Sequence, residues 1–162
     1  EEVFTAPEKT GVNGKVYGTK PLYYSGNLID EFFFTFKDGE VVEYGAKVGE
    51  EVLKDMISMD EGAKYLGELA LVPYDSPISN TKMLFKNTLF DENASCHLAL
   101  GKAYPTCIEN GENLEEKELE NRGLNDSLIH VDFMFGHQTT KITAYHDDDE
   151  TGTLLFENGN WA

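Results

Sequence analysis

Residues 129–134 read Ile-His-Val-Asp-Phe-Met, so apolar side chains alternate with polar ones. Alternation with a period of two predicts a β-strand, on which His130 and Asp132 point to one face while Val131 and Phe133 point to the other. An imidazole and a carboxylate side by side on a rigid strand make half of a site for a divalent metal. The plain alternative is that these two residues form the polar face of a half-exposed strand.

A second stretch, residues 91–97, reads Asp-Glu-Asn-Ala-Ser-Cys-His and offers another carboxylate and another imidazole, Glu92 and His97. Together with His130 and Asp132, these two residues make a set of four possible ligands, which favours a metal centre with one or two ions. Residues 91–103 predict a turn that enters a helix, and if this helix continues as far as Tyr104, that residue lies on nearly the same face as His97. The alternative for His97, which precedes three apolar residues, is a buried structural histidine.

Residues 66–72 form a short apolar run that ends at Pro73 and predicts a buried strand. Glu68 is the only charged residue in that run. A lone carboxylate in a buried strand costs several kcal/mol unless it is paired or bound to a metal, so Glu68 is a candidate ligand. Alternatively, the strand lies at a sheet edge and Glu68 faces water.

The first half of the chain mixes strand and helix signals. Residues 15–24 and 28–36 are rich in β-branched and aromatic residues and predict strands, and Asp38-Gly39 predicts a hairpin turn directly after them. Apolar residues at helical spacing predict an amphipathic helix over residues 48–65. Because strands and helices do not alternate regularly, we predict an α+β fold, a mixed and mostly antiparallel sheet with a few helices in a single domain.

The second half adds three segments. Residues 83–90 predict an extended segment, residues 109–121 a solvated loop or a short exposed helix, and residues 141–161 a hairpin with an Asn158-Gly159 turn. The acidic tip of this hairpin, with Asp147, Asp149, Thr151 and Gly152, resembles the first half of a calcium loop. The twelfth position is Asn158 where a calcium loop needs Glu, so a plain acidic tip is the prediction.

Composition limits the classes of partner. A net charge of −17 over 162 residues argues against nucleic acid and against an anionic membrane surface. No apolar run approaches the roughly 18 residues of a membrane span. The two cysteines, Cys96 and Cys107, do not resemble a disulfide framework. We therefore expect a cytoplasmic protein with no nucleic-acid and no membrane partner.

Several longer runs resemble a known family. They include Leu-Gly-Glu at residues 66–68, the whole block at residues 87–101 and His-Val-Asp-Phe-Met at residues 130–134. Similar runs occur in the thermophilic metallo-aminopeptidases of the aminopeptidase T, aminopeptidase S and PepS type, and the resemblance covers essentially the whole chain. It implies that residues 1–162 are the C-terminal catalytic, metal-binding domain of a longer two-domain aminopeptidase whose N-terminal domain is absent. A chain that opens at Glu1 without an initiator methionine fits that expectation.

The resemblance also implies roles for individual residues. Tyr104 matches a tyrosine beside the metals, where its hydroxyl would hydrogen-bond the developing oxyanion. Either Glu68 or Glu92 would act as general base, and either Asp132 or Glu68 would bridge the metals. Glu2 is the one position that the residues alone gave no reason to choose. The positions that match metal ligands are Glu2, Glu68, Glu92, His97, His130 and Asp132.

The function that the resemblance implies is a metal-dependent aminopeptidase. Two divalent ions (zinc, cobalt, manganese or magnesium) would activate water to hydrolyse the N-terminal peptide bond. The substrates would be peptides with a free N-terminus, and the full-length protein would form a homodimer. One alternative is a catalytically silent folded fragment that serves only as a metal-binding or interaction module. Another is an acidic α+β domain whose histidines are structural.

Overall fold

The computed structural model describes residues 2–146 and 151–162. The strands are, in chain order, β1 (Val3–Thr5), β2 (Gly14–Tyr17), β3 (Leu22–Tyr24), β4 (Asn27–Lys37), β5 (Glu40–Val48), β6 (Leu66–Leu71), β7 (His97–Gly101), β8 (His130–Met134), β9 (Ile142–Ala144), β10 (Thr153–Glu157) and β11 (Asn160–Trp161). The α-helices are α1 (Glu50–Ile57), α2 (Pro77–Asn80), α3 (Thr88–Asp91) and α4 (Glu116–Asn121). Short 3-10 turns lie at Glu61–Lys64, Glu92–Ala94, Pro105–Cys107 and Gly111–Asn113.

These strands pair into antiparallel sheets. The first sheet has the strand order β1-β6-β7-β8. In the second, the long strand β4 pairs with β2, β3 and β5. The third is β11-β10-β9. The predicted α+β class, with mostly antiparallel strands and few helices, is confirmed.

The hydrophobic core lies between β4 and the first sheet. The ring of Phe133 on β8 packs against Phe34 and Phe32 of β4, with ring centroids 5.2 Å and 5.8 Å apart. Helix α1 adds Leu53 and Met56, which are fully buried in the same cluster. This packing uses the Phe133 face of β8, and the opposite face, which carries His130 and Asp132, points away from the core.

The β4–β5 hairpin and strand β8 are confirmed where the sequence predicts them. At the hairpin turn, Asp38 and Gly39 have φ values of 49° and 85°, the two positive angles that a type I′ turn requires. The C-terminal hairpin is also confirmed, with β9 paired to β10 and a turn at Asn158-Gly159 before β11. Asp147 and Asp149 of the predicted acidic tip lie outside the described residues.

Three predictions of local structure are wrong. Residues 97–101 form β7 instead of a helix, because pairing with β6 and β8 on both edges outweighs their helix propensity. The helix predicted over residues 48–65 ends at Ile57, and a separate 3-10 turn follows in which the Asp60 carboxylate accepts from the Ala63 N–H. Residues 83–90 are not extended throughout, since α3 begins at Thr88.

The short exposed helix expected within residues 109–121 is present as α4. None of the helices formed by residues 2–146 and 151–162 has the length and apolar character needed to cross a membrane.

Candidate metal centre

Four predicted ligands project from one face of the first sheet. Glu68 of β6 lies opposite Ala99 of β7, which in turn lies opposite Asp132 of β8. His97 is two residues before Ala99 and His130 is two residues before Asp132, so their side chains point the same way. The small side chain of Ala99 leaves the space between the two carboxylates open.

A β-bulge places Glu68 on this face. Leu66 pairs with Leu100 while Glu68 pairs with Ala99, so two steps along β6 match one step along β7. In a regular strand Leu66 and Glu68 would share a face, yet Leu66 is buried in the hydrophobic core. The extra residue therefore lets β6 bury Leu66 on one side of the sheet and present Glu68 on the other.

Glu68 belongs to two groups of ligand-type atoms. Its Oε1 is 3.5 Å from His97 Nε2, and its Oε2 is 3.4 Å from His130 Nε2. The first group is completed by Glu2, whose Oε2 is 3.3 Å from His97 Nε2, and the second by Asp132, whose Oδ1 is 3.4 Å from His130 Nε2. Within each group of three residues the ligand atoms lie within 4.8 Å of one another. A carboxylate that directs one oxygen to each group can bridge two cations.

Backbone carbonyls orient both imidazoles. His97 Nδ1 is 3.2 Å from the Ser95 carbonyl oxygen, and His130 Nδ1 is 2.7 Å from the Lys102 carbonyl oxygen. Because a carbonyl oxygen only accepts, each Nδ1 carries the proton and each Nε2 faces the carboxylates, which is the arrangement of metal-binding histidines.

Two buried atoms of the site lack a hydrogen-bond partner in the part of the chain that the structure describes. They are His97 Nε2 and Glu2 Oε2. The two atoms are close enough for an ion pair, but their geometry does not satisfy a hydrogen bond. Buried polar atoms without a partner are costly, and imidazole nitrogen with carboxylate oxygen is a donor set that suits divalent transition metals. The residues present therefore fit a divalent metal.

Burial decides the alternatives left open by the sequence. Glu68, His97 and Asp132 are 5%, 1% and 7% exposed. Strand β6 lies between β1 and β7, so the alternative that Glu68 faces water from a sheet edge is wrong. On the edge strand β8, Asp132 is buried while His130 is partly exposed. The unsatisfied Nε2 of His97 is unlike that of a structural histidine.

Charge is strongly coupled across the site. Burial alone would raise the pKa of Glu68, but the neighbouring His130 and His97 lower it to about 2. Burial alone would lower the pKa of His130, but Asp132 and Glu68 raise it to about 11. The pKa of His97 is also raised, against the effect of its burial, chiefly by Glu68. Protonated imidazoles thus balance the acids, and a bound cation would replace those protons.

Glu92 faces the same cleft but is outside both ligand groups. It begins the 3-10 turn that follows α3. Burial and the nearby charge of Asp132 raise the pKa of its carboxyl to about 7. A carboxyl that gains and loses a proton near neutral pH can act as a general base or acid.

Tyr104 lies at the mouth of the site. Its ring centroid is 4.9 Å from that of His130 and 6.1 Å from that of Phe4. No helix connects it with His97, so the predicted reason for their proximity is wrong. The chain instead turns after β7 at Gly101, where φ is 103°, and this turn brings Tyr104 back over His130.

The cleft beside these residues has a volume of about 440 Å³. Its remaining walls come from the start of the chain, from β3 with the turn that follows it, and from α3. They are Phe4, Tyr23, Tyr24, Ser25, Thr88 and Leu89. Sequence reasoning missed these residues, because turn signals between two strands mark a loop without showing what the loop approaches.

Comparison with known proteins identifies the family of this chain. Residues 1–161 match the family described as thermophilic metalloprotease (M29). The chain belongs to the M29 family. It is 57% identical over 162 residues to Aminopeptidase 2 of Geobacillus stearothermophilus, covering 100% of this chain and 39% of that protein. Aminopeptidase AmpS of Bacillus subtilis is 53% identical, again over 100% of this chain and 39% of the relative.

A solved structure of an M29 relative, wild-type AmpT from Thermus thermophilus, superposes with a TM-score of 0.92 at 45% identity. The match covers 99% of this chain and 39% of that chain. The chain thus spans about two fifths of the length of the relatives that it matches. Membership of a metalloprotease family implies divalent metal cofactors, and the two ligand groups on the first sheet are where this chain could hold them.

Proposed function

We propose that this chain is the C-terminal catalytic domain of a longer two-domain aminopeptidase that removes N-terminal residues from peptides and uses two divalent ions. The single observation that carries the proposal is the position of Glu68, which directs one carboxylate oxygen to each of two histidines. The names of the M29 relatives, which are aminopeptidases, support the reaction class.

The proposed first metal position has Glu2, Glu68 and His97 as ligands. The second has Glu68, His130 and Asp132. Glu68 is therefore the proposed bridge, in preference to Asp132, because only Glu68 belongs to both groups. Zinc, cobalt, manganese and magnesium remain the candidate metals, and the two imidazoles favour the first three. When bound, such ions would lower the pKa of a water molecule and polarise the carbonyl group of the scissile bond.

Glu92 is the proposed general base. Its carboxyl faces the cleft and lies outside both ligand groups, so it could accept a proton from water and later return it to the leaving amine. Glu92 also matches a ligand position by resemblance, and the two roles differ in a measurable way. As a base, Glu92→Gln keeps the metal content and loses activity, whereas as a ligand it also loses metal.

Tyr104 is proposed to stabilise the oxyanion that develops on the scissile carbonyl. Its ring packs beside His130 and its side chain is partly exposed in the cleft, so the hydroxyl is accessible to a substrate. Loss of a single oxyanion donor lowers the turnover number by about 10²-fold or more.

The acidity of the site suits a substrate with a free N-terminus. Four carboxylates, those of Glu2, Glu68, Glu92 and Asp132, face a cleft that holds only two imidazoles among its described lining and ligand groups. Two bound divalent ions would offset the charge of these four carboxylates, so the attraction for a positive α-ammonium group would come from the rest of this acidic chain, whose net charge is −17. We therefore propose that the charge of the α-amino group, as well as the peptide bond, is recognised.

We propose further that the full-length protein is a cytoplasmic homodimer without nucleic-acid or membrane partners. Within residues 1–162 the two cysteines are free, as in a reducing compartment, and the net charge of −17 over these residues disfavours binding to nucleic acid.

The test is hydrolysis of a leucyl p-nitroanilide with a free and with an acetylated α-amino group. We expect turnover of the free form only, dependent on added cobalt or zinc and lost in His130→Ala. The same assay on the 162-residue chain beside the intact protein addresses the silent-fragment alternative. Equal activity per chain would eliminate that alternative, and no metal-dependent turnover by the intact protein would overturn the proposed function.

A further inference from the structure

Each of the two residues whose carbonyl orients an imidazole lies against a glycine that has no room for a side chain. Lys102 supplies the carbonyl for His130, and Ser95 supplies the carbonyl for His97. The glycines are Gly67 and Gly136. Neither has a positive φ angle, so close approach, and not backbone conformation, is what excludes a side chain at these positions.

Gly67, the extra residue of the bulge in β6, lies against the Lys102 carbonyl. A Cβ atom at this position would be 2.3 Å from the Lys102 oxygen and 2.4 Å from the Gly101 oxygen. Both are backbone atoms and cannot turn aside as a side chain can. The Lys102 N–H is itself bonded to the Ile129 carbonyl at 2.7 Å, which ties this segment to the residue before His130. A methyl group at Gly67 therefore displaces the carbonyl that holds the His130 ring.

Gly136 lies against Ser95 and Cys96, the two residues before His97. A Cβ atom there would be 2.6 Å from the Cys96 nitrogen and 2.7 Å from the Ser95 Cβ. The Gly136 segment cannot easily retreat, because the Thr19 hydroxyl donates to the Gly136 carbonyl at 2.9 Å and the Gly136 N–H donates to the Cys96 carbonyl at 2.9 Å. A methyl group at Gly136 therefore displaces Ser95, whose carbonyl holds the His97 ring.

We propose that Gly67 and Gly136 are positioning residues of the metal centre, Gly67 for His130 and Gly136 for His97. Each acts chiefly through one backbone carbonyl. Gly67 also adjoins Glu68, which both ligand groups share, so a substitution there weakens both binding steps, and the step that depends on His130 more strongly. The inference rests on the proposed two-metal centre, and it predicts that the two metal positions can be weakened unequally by substitutions at residues that cannot bind metal.

The experiment is a calorimetric titration of cobalt into the chelator-treated intact protein. His97→Ala and His130→Ala identify which binding step depends on which histidine. We expect Gly67→Ala to weaken the step that depends on His130 by about tenfold or more relative to the other step, and Gly136→Ala to show the reverse. Gly11→Ala is the matched control, since its Cβ would come no nearer than 3.4 Å to any atom, and it should change neither step.

The reciprocal pattern is what a merely structural role would not produce. If a glycine is needed only for folding, its substitution lowers the stability of the protein, but the molecules that do fold bind both ions with the affinities of the wild type. The less affected step in each variant is thus the internal comparison, and if one variant does not fold, the other decides the question. The proposal is overturned if the folded variants bind both ions as the wild type does, or lose both steps equally. Fewer than two ions in the wild type would instead refute the two-metal centre itself.

Discussion

The two faces of the first sheet are built from the same strands and differ in almost everything else. One face carries apolar residues such as Phe133 and Leu66, and the other carries Glu68, His97 and Asp132. Both are buried, since Phe133 and His97 are each 1% exposed. Burial of apolar surface stabilises the fold, whereas burial of charge costs free energy unless a partner is present. Stability and function are thus separated by a single residue step along each strand.

The largest effect on stability is expected on the apolar face. Phe133→Ala removes the ring that packs on Phe32 and Phe34, and should lower the free energy of unfolding by about 3–5 kcal/mol. Denaturant unfolding of metal-free protein measures the loss. Leu128→Ala, at a side chain that is 84% exposed, is the control and should change stability little. A small effect of Phe133→Ala would mean that the core does not lie between β4 and β8.

A substitution on the charged face is expected to lower activity more than stability. Glu68→Gln keeps the shape of the side chain but removes the charge that both ligand groups share. Loss of a group that merely supports a metal ligand lowers metal affinity or activity by about 10–100-fold. Loss of the charge of a ligand itself should therefore lower peptidase activity by at least about 10²-fold. Metal content should fall with it, while the metal-free protein remains folded. Glu112→Gln, an exposed acid, is the matched control. Unchanged metal content in Glu68→Gln would contradict the bridging role.

Metal should stabilise the protein through this face alone. At a free ion concentration of 100 times the dissociation constant, the binding of each ion to the folded state contributes about 2.7 kcal/mol. For a domain of this size that corresponds to a rise in melting temperature of roughly 5–10 °C. Differential scanning calorimetry with and without chelator measures it. The rise should disappear in Glu68→Gln and persist in Glu112→Gln, and a rise of equal size in both would place the ions elsewhere.

The smallest expected effect is the pH dependence of the metal-free protein at Glu92. Burial and Asp132 raise the pKa of this carboxyl from 4.5 to about 7, so its ionisation disfavours the folded state. The wild type should therefore lose stability as the pH rises from 4.5 through 7, and Glu92→Gln should not share that loss. The melting temperatures of the two proteins should nearly coincide at about pH 4 and differ in favour of the variant at about pH 8. A difference in melting temperature that is the same at both pH values would contradict the raised pKa of Glu92.

The sequence predicts the fold well where local chemistry determines it. Strand β8 follows from alternation, and the β4–β5 hairpin follows from Asp38-Gly39, which can adopt the two positive φ angles of the turn. Strand β7 was predicted as a helix, since Leu98, Ala99 and Leu100 are good helix formers and only the two neighbouring strands select the extended form. The early end of α1 likewise depends on tertiary contacts of Asp60, which accepts hydrogen bonds from the distant Ser127 hydroxyl and Leu128 N–H.

The candidate site was only partly predictable for a related reason. Glu68, His97, His130 and Asp132 could be chosen from residue type and context, and the structure brings them together. Glu2 could be chosen only from the resemblance, because a glutamate at the start of the chain carries no local signal. The bulge at Gly67 and the aromatic walls of the cleft depend on which segments meet in space, and the order of residues does not reveal that.

The most direct test of the two-metal centre is a crystal structure of the protein soaked in zinc, with anomalous scattering measured at the zinc edge. We expect two anomalous peaks, one on each side of the Glu68 carboxylate. One should contact Glu2 and His97, and the other should contact His130 and Asp132. A single peak, or two peaks that do not share Glu68, would contradict the account.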